Sequence, residues 1–359
     1  MLIQKPRIPL RQILLYGFLP GFLKIFVYRL RGYKIGKSVS IGLGSVICAK
    51  DVSIGDHTKI GLCTIIRGEQ INIGSHVRIG SITFLDTPYL EIGDESKINE
   101  LVFIGGLQSY DSKFVAGKNC QIMQMAFINP SRSIVIGDEV AIGGHCLLFG
   151  HNSWLSRIEG YDVSFEEIEI GNNVALSWGV FLLPGTKIGD GSLIAAHSVV
   201  NRTVPPKCLA AGYPARVISK SPDFPKQVSE EQKIVILSDI ANEMVAYFNG
   251  SGLICKKEGG DFRIEQVKKS FLIKRRNTWW FSIEYEFIAE DFALNRSEDL
   301  NVFISLKSIP LKLRRQLNAA DIAWFDIEKK ERPLFCNDAG NEIALFLRRH
   351  GIRFIRVKE

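Results

Sequence analysis

Apolar residues recur along this chain with a period of six. From Ile170 to Val200 it reads IGNNVA, LSWGVF, LLPGTK, IGDGSL, IAAHSV, with a sixth block opening at Val200. Each block opens on an aliphatic residue, a Gly or other small residue often follows, and the fifth place is Val, Thr or Ser. That period is too short for any helical repeat. It fits a chain that turns a corner every six residues, three corners closing one coil. The phrase recurs upstream at Ile35-Gly36, Ile54-Gly55, Ile73-Gly74 and Ile92-Gly93, each 19 residues after the last. It continues at Val115-Ala116, Ile136-Gly137, Ile170-Gly171 and Ile188-Gly189, at steps of 23, 21, 34 and 18. The pattern predicts a solenoid whose opening aliphatics stack coil over coil, with small or φ-permissive residues at the corners. With strands about 4.8 Å apart, eight coils make a prism roughly 40 Å long. A β-sandwich has no reason to repeat a 19-residue step.

Two steps exceed a coil. The step of 23 predicts a small outward loop over residues 108–113. The step of 34 leaves a surplus of 16, an excursion over residues 152–167, NSWLSRIEGYDVSFEE. Long loops in tight scaffolds are more often functional than idle. After Ser221 the grammar changes. Pro222 and Pro225 mark a linker, and residues 226–359 read as a small α+β domain of no recognised motif. Its predicted elements are an amphipathic helix EEQKIVILSDIANEMVAYFN, strands FRIEQV, KSFLIKRR, WWFSIEYEFIA and NVFISL, a helix IPLKLRRQL, a strand IAWFDIE, a helix EIALFLRRHG and a final strand IRFIRV.

Charge singles out the beginning of the chain. Residues 1–34 hold Lys5, Arg7, Arg11, Lys24, Arg29, Arg31 and Lys34 and no acid. The remaining 325 residues balance, 38 basic against 38 acidic. The net charge of +7 therefore belongs to one arm, which argues against a nucleic-acid footprint on a folded face. The arm is apolar with basic punctuation. Its longest uncharged apolar run, Ile13 to Leu23, is eleven residues and contains Pro20-Gly21, against the ~20 that a spanning helix needs. A secretory signal fits poorly. Two roles are open: short helices that cap the open end of the prism, or a peripheral membrane contact through residues 1–31, aromatics down and cations toward anionic headgroups. The seven cysteines are scattered without a Cys-x-x-Cys pair, which predicts a reducing, cytoplasmic setting and inward-packed thiols.

The repeats resemble the hexapeptide-repeat acyltransferases, a left-handed parallel β-helix family that acetylates sugars. The run VVNRTVPPKCLAAGYPARVIS, Val199 to Ser219, is similar to that family's C-terminal coil. The resemblance covers residues 35–220. The fold expected is mainly β: a left-handed parallel β-helix, a short N-terminal helical arm over 1–34, and the C-terminal α+β domain.

Four of the six histidines, His57, His76, His145 and His197, are each the fourth residue of a hexad, an outward corner place. His151 falls in the same place of its own block, but the repeat breaks immediately after it. Gly150-His151-Asn152 resembles the family's Gly-His motif, which implies His151 as general base; His145 is the reserve. An imidazole with a pKa near 6.5 suits removal of a proton from a sugar hydroxyl attacking a thioester. Glu159, Asp162, Glu166 and Glu167 are candidates to orient it. The resemblance further implies a coenzyme A groove at Ser177, Trp178, Ala195 and Ala196, with Arg202 and Arg216 on the phosphates and Lys220 as a weaker third. Ala175 stands where the family usually has Trp, and Trp178 where it has a small or polar residue, so the groove is expected to differ in shape. On the acceptor side stand Asn152, Trp154 and Met123, the last in place of an Asn that galactoside- and maltose-type members carry.

The function this implies is an acetyl-CoA-dependent O-acetyltransferase acting on a sugar of a surface polysaccharide or its lipid-linked precursor. The chain would work as a homotrimer with its sites between chains, in the cytoplasm or peripherally on the inner face of the membrane, with no metal. An N-acetyltransferase on an aminosugar nucleotide and a non-catalytic β-helix scaffold are the alternatives. A three-His zinc site has no recognised ligand spacing here.

Overall fold

A computed structural model describes residues 8–258, 261–269, 274–286, 288 and 299–358. The chain divides into two compact units, Met1–Gln227 and Val228–Glu359.

The first unit is a left-handed parallel β-helix. Short strands follow one another around three faces. The first face runs from Lys34–Ile35 to Lys187–Ile188, the second from Ser40–Ile41 to Leu193–Ile194 and the hairpin beyond it, and the third from Val46–Cys48 to Val199–Val200. Among the described residues this makes eight coils. Registration is strict: on the first face Ile54, Ile73, Ile92, Ala116, Ile136, Ile170 and Ile188 stack one above the other. All are buried and belong to one continuous core. Cys120, Cys146 and Cys208 fill inward places in the same core.

The corners divide two duties between two positions. The glycine after each aliphatic is not where the backbone turns left-handed. A Cβ on Gly171 would lie 2.1 Å from Oδ1 of Asp190 in the next coil, so the residue is small because coils approach closely there. The left-handed place comes two residues later. On the corner between the first and second faces it holds His57, His76, Glu95, Asn119, Glu139 and Asn173, with φ between 55° and 63°. Such a conformation costs a non-glycine residue about 1–2 kcal/mol. A ladder of side chains just before it contributes in the other direction. Asp138 Oδ1 accepts from Lys118 N at 2.7 Å, Asn172 Oδ1 from Asp138 N at 2.8 Å, and Asp190 Oδ1 from Asn172 N at 2.7 Å.

The arm caps the first coil, whose outer edge has no neighbouring strand among the described residues. Helical turns Leu10–Gln12 and Ile13–Gly17 precede the helix Gly21–Leu30. Lys24 is fully buried, and its ammonium donates to Gly42 O at 2.6 Å and Ser45 O at 3.0 Å. Arg29 donates to Ile35 O and Gly36 O, and Tyr28 OH accepts from Ile47 N. Backbone groups of the exposed edge are thus satisfied by side chains, as a buried edge requires. Lys5 and Arg7 lie outside the described residues.

The step of 23 is an outward loop over residues 105–112; Lys113 already begins the next strand. In the second unit, a mixed seven-stranded sheet follows the helix Glu230–Gly250, which buries Leu237, Ile240, Met244 and Phe248. Lys274–Glu284 is one strand where the sequence predicts parts of two, residues 270–273, 287 and 289 of those stretches lying outside the described residues. Ile254–Glu258 and Glu331–Pro333 are strands that the pattern does not mark.

Candidate active site

The winding breaks after the third strand of the sixth coil, Leu147–Phe149. Gly150 still belongs to the stack: it is buried, and its N–H donates to Asn129 O of the coil before at 3.0 Å. The chain then leaves as an antiparallel pair, His151 facing Phe165 and Asn152 facing Ser164. Glu166 N returns to Gly150 O at 3.0 Å and closes the base. Between the two strands lies a 3-10 turn, Arg157–Glu159. His151 is therefore extended, in the root of a two-stranded excursion, and not at a left-handed corner like the other hexad histidines. Steric demand explains the difference: a corner residue must turn into the next coil, whereas His151 starts the chain outward.

Aromatic rings surround the imidazole. Phe149, Trp154 and Phe165 have ring centroids 5.8, 6.2 and 6.0 Å away, Phe165 stacked at 19°. Burial among them lowers the His151 pKa, which keeps the ring neutral near pH 7. Its Nδ1 is buried and makes no hydrogen bond. None of Glu159, Asp162, Glu166 and Glu167 bonds that nitrogen; Glu166 instead packs against Gly185.

One residue the sequence reading missed sits beneath. Asn129 is in register with Phe149, buried, and its Oδ1 makes no hydrogen bond. Ser131 Oγ, 3.0 Å from where a Cβ on Gly150 would be, is also buried and unbonded. The Asn129 side chain lies against Gly106 of the coil before, and the Ser131 hydroxyl against Gly150. Native proteins leave few buried polar atoms unpaired. The only signal in the sequence was a polar residue in the third strand of its coil, where the neighbouring coils are apolar.

The expected groove residues lie elsewhere. Met123, Ser177 and Ala195 occupy one column on the corner between the second and third faces, with Trp178 and Ala196 next to it. Trp178, 42% exposed, lies over Gly144, where a Cβ would meet its ring at 2.5 Å, and near His145. Outward on the second face beside this corner stand Ala141 and Ala175, half-buried. That face continues into the hairpin Cys208–Gly212 and Ala215–Lys220, where Arg216 pairs with Ala211 and is exposed. Arg202 and Lys220 are exposed as well. His151, Asn152 and Trp154 leave from the corner between the third and first faces. Within one chain the structure does not bring them to Met123, Ser177 and Ala195. Among the described residues, no three His, Cys, Asp or Glu are grouped to hold a metal ion.

Sequence comparison bears on this constellation. No family model matches the chain. A Schizosaccharomyces pombe protein named as an acetyltransferase is 34% identical over 111 residues, 31% of this chain and 52% of that one. The galactoside O-acetyltransferase of Escherichia coli strain K12 is 35% identical over 120 residues, 33% of this chain and 59% of the enzyme. Over the residues it shares with them, the chain is similar to these proteins named as acetyltransferases.

The chain spans about half the length of these curated acetyltransferases. Among solved structures, the UDP-N-acetylglucosamine acyltransferase of Francisella novicida aligns at 20% identity and TM-score 0.44, over 58% of this chain and 75% of that one. A galactoside acetyltransferase in complex with coenzyme A aligns at 26% identity and TM-score 0.28, over 38% of this chain and 67% of that one.

Beside the excursion lies an open cleft of about 360 Å³, lined by Asp111, Arg132, Phe165, Glu166, Gly185 and Lys187 among others. Arg132 pairs with Asp111 and lies 5.8 Å from the Tyr110 ring. The cleft shares Phe165 with the ring cluster of His151.

Proposed function

We propose that this protein transfers an acetyl group from acetyl-CoA to a hydroxyl of a glycan, with His151 as general base. The observation that carries the reading is the root of the excursion. There, where the coil winding gives way to the excursion, an imidazole held neutral by burial keeps its Nδ1 unbonded, and the unbonded Ser131 hydroxyl lies against the neighbouring Gly150. The relatedness to named acetyltransferases supports the reaction type.

The acceptor hydroxyl gives its proton to the neutral imidazole as its oxygen attacks the thioester carbonyl. The tetrahedral oxyanion collapses, the carbon–sulfur bond breaks, and the leaving thiolate takes the proton back from the imidazolium. The donor is read onto the strip of small residues Ala141, Ala175, Ser177 and Ala195. Side chains this short let a chain-like ligand approach the backbone, and Arg216 at the end of the same sheet suits a phosphate.

Because His151 and that strip belong to different corners, a site that uses both takes them from two copies. We take the assembly as a homotrimer, one of the closed cyclic symmetries, with the third face turned toward the neighbour. That face carries Phe84, Phe103 and Phe127 in an outward stack at 5.1 and 4.8 Å. The excursion's exposed Trp154, Leu155 and Ile158 would wall the acceptor side. A surface polysaccharide or its lipid-linked precursor is the acceptor class we favour, from the basic apolar arm.

His151→Ala tests the reading. Acetyl transfer from acetyl-CoA to purified surface glycan, followed by the mass gain of one acetyl group, should fall about 10²-fold or more with the melting temperature unchanged. A variant as active as the parent would remove His151 from the mechanism.

A further inference from the structure

The helix Gly21–Leu30 is oriented in reverse for a cap that faces water. Its inward side carries Lys24 and Tyr28, both fully buried. Its outward side carries Phe22, Phe26 and Leu30, which are 72%, 60% and 73% exposed. The preceding turns continue the row with Leu10, Leu14 and Phe18, 66%, 74% and 65% exposed. Phe22, Phe26 and Leu30 are four residues apart, the spacing of one stripe on a helix, and the other three lie on turns that meet this helix at a bend of 117°. A soluble surface helix turns such a stripe toward its core; an exposed one marks an interaction surface.

Charge says what covers it. Arg11, Arg29, Arg31, Lys34 and Lys37 are exposed around the cap, and the first 50 residues contain no Asp or Glu. A second copy of this face would set one cationic rim against another. Among the described residues no single helix is long and apolar enough to cross a membrane, and the pair Leu10–Gly17 and Gly21–Leu30 is bent by 117°. We propose that this end of the β-helix docks on the surface of an anionic bilayer. The aromatic stripe enters the boundary between headgroups and acyl chains, and the cations lie at the level of the lipid phosphates. The polar inward side has its own task in the first coil, so the cap reaches both partners at once. This docking stands whether or not the enzyme is an acetyltransferase.

The test is co-sedimentation of the full chain with vesicles of phosphatidylcholine, alone and mixed with phosphatidylglycerol. Binding is expected to the mixed vesicles and to weaken with salt. Replacing Phe22, Phe26 and Leu30 together by Ser should lower partitioning by about 100-fold or more at an unchanged melting temperature, since these side chains point away from the core. Arg11→Glu with Lys34→Glu, which leaves the apolar stripe intact, should reduce binding to the mixed vesicles alone. Parent protein that binds neither vesicle, or a triple variant that partitions like the parent, overturns the proposal. So does lipid-free self-association through the same three side chains without vesicle binding, which would give the face to a second copy.

Discussion

His151 differs from the other hexad histidines by one backbone fact: it is extended where they are left-handed. His57, His76, His145 and His197 serve the turn, and their rings stack or lie along the corner, as His57 on His76 at 4.9 Å. His151 is released from that duty and enclosed by rings. Because burial lowers its pKa, the folded protein holds it neutral further into acid than an unfolded chain does. The acid limb of the pH profile of kcat/KM should therefore fall below the ordinary value of about 6.5, and a limb at or above that value would contradict the enclosure. The linked stability term has a definite sign. Below about pH 6.5 the unfolded chain takes up a proton that the folded chain resists, so this residue makes folding less favourable as pH drops toward its folded pKa. The Gly-His phrase made this residue legible in the sequence. Asn129 was not legible, because its importance lies in standing one coil below, in register, and register is a property of the wound chain.

At the scale of elements, the helix Gly21–Leu30 replaces a missing strand. Lys24 shares this task with Arg29 and Tyr28 by donating to two carbonyls of the first coil, and burial lowers its pKa. Lys24→Met keeps the length and apolar stem and removes the donor. The buried Ser45 carbonyl then loses its partner, at roughly 1–3 kcal/mol, while Gly42 O keeps Ser45 N at 3.3 Å, and a fall in melting temperature of a few degrees is expected by calorimetry. No change would show that this carbonyl does not depend on the arm. The sequence left capping and membrane contact as two separate roles. The structure assigns capping to the inward side and leaves the outward stripe for the bilayer proposed above. An eleven-residue apolar run could not reveal this division, because hydropathy does not say which side of a helix meets the coil. The excursion was legible as a surplus of 16 residues, whereas its antiparallel root, which aims His151, was not.

For the whole molecule, the placement of the proposed site across two chains has a direct test. A His151→Ala chain and a chain blocked on the small-residue strip by Ala195→Trp are each expected to be inactive. Co-expressed in equal amounts, they should assemble so that one interface in each mixed trimer, and about a quarter of all interfaces, combines two intact halves, and activity should return to about a quarter. No recovery in mixed trimers would mean that each chain builds its own site. If the cap lies on a bilayer, the root of the excursion, five coils above the first, stands about 24 Å from that surface at ~4.8 Å per coil. That distance suits an acceptor tethered to the membrane by a lipid and a short glycan.

The period of six determined the parallel coil by itself, because only a chain that turns every six residues can stack an aliphatic at each opening. It also determined where winding fails, since a surplus of residues has to leave the prism. It did not say which corner a given block occupies. The three corners use one grammar, so Met123, Ser177 and His151 read alike in the sequence, while the structure puts Met123 and Ser177 on one edge and His151 on another. That assignment depends on counting strands around the axis through every bulge and loop, and only the hydrogen-bonded stacking of one coil on the next performs that count.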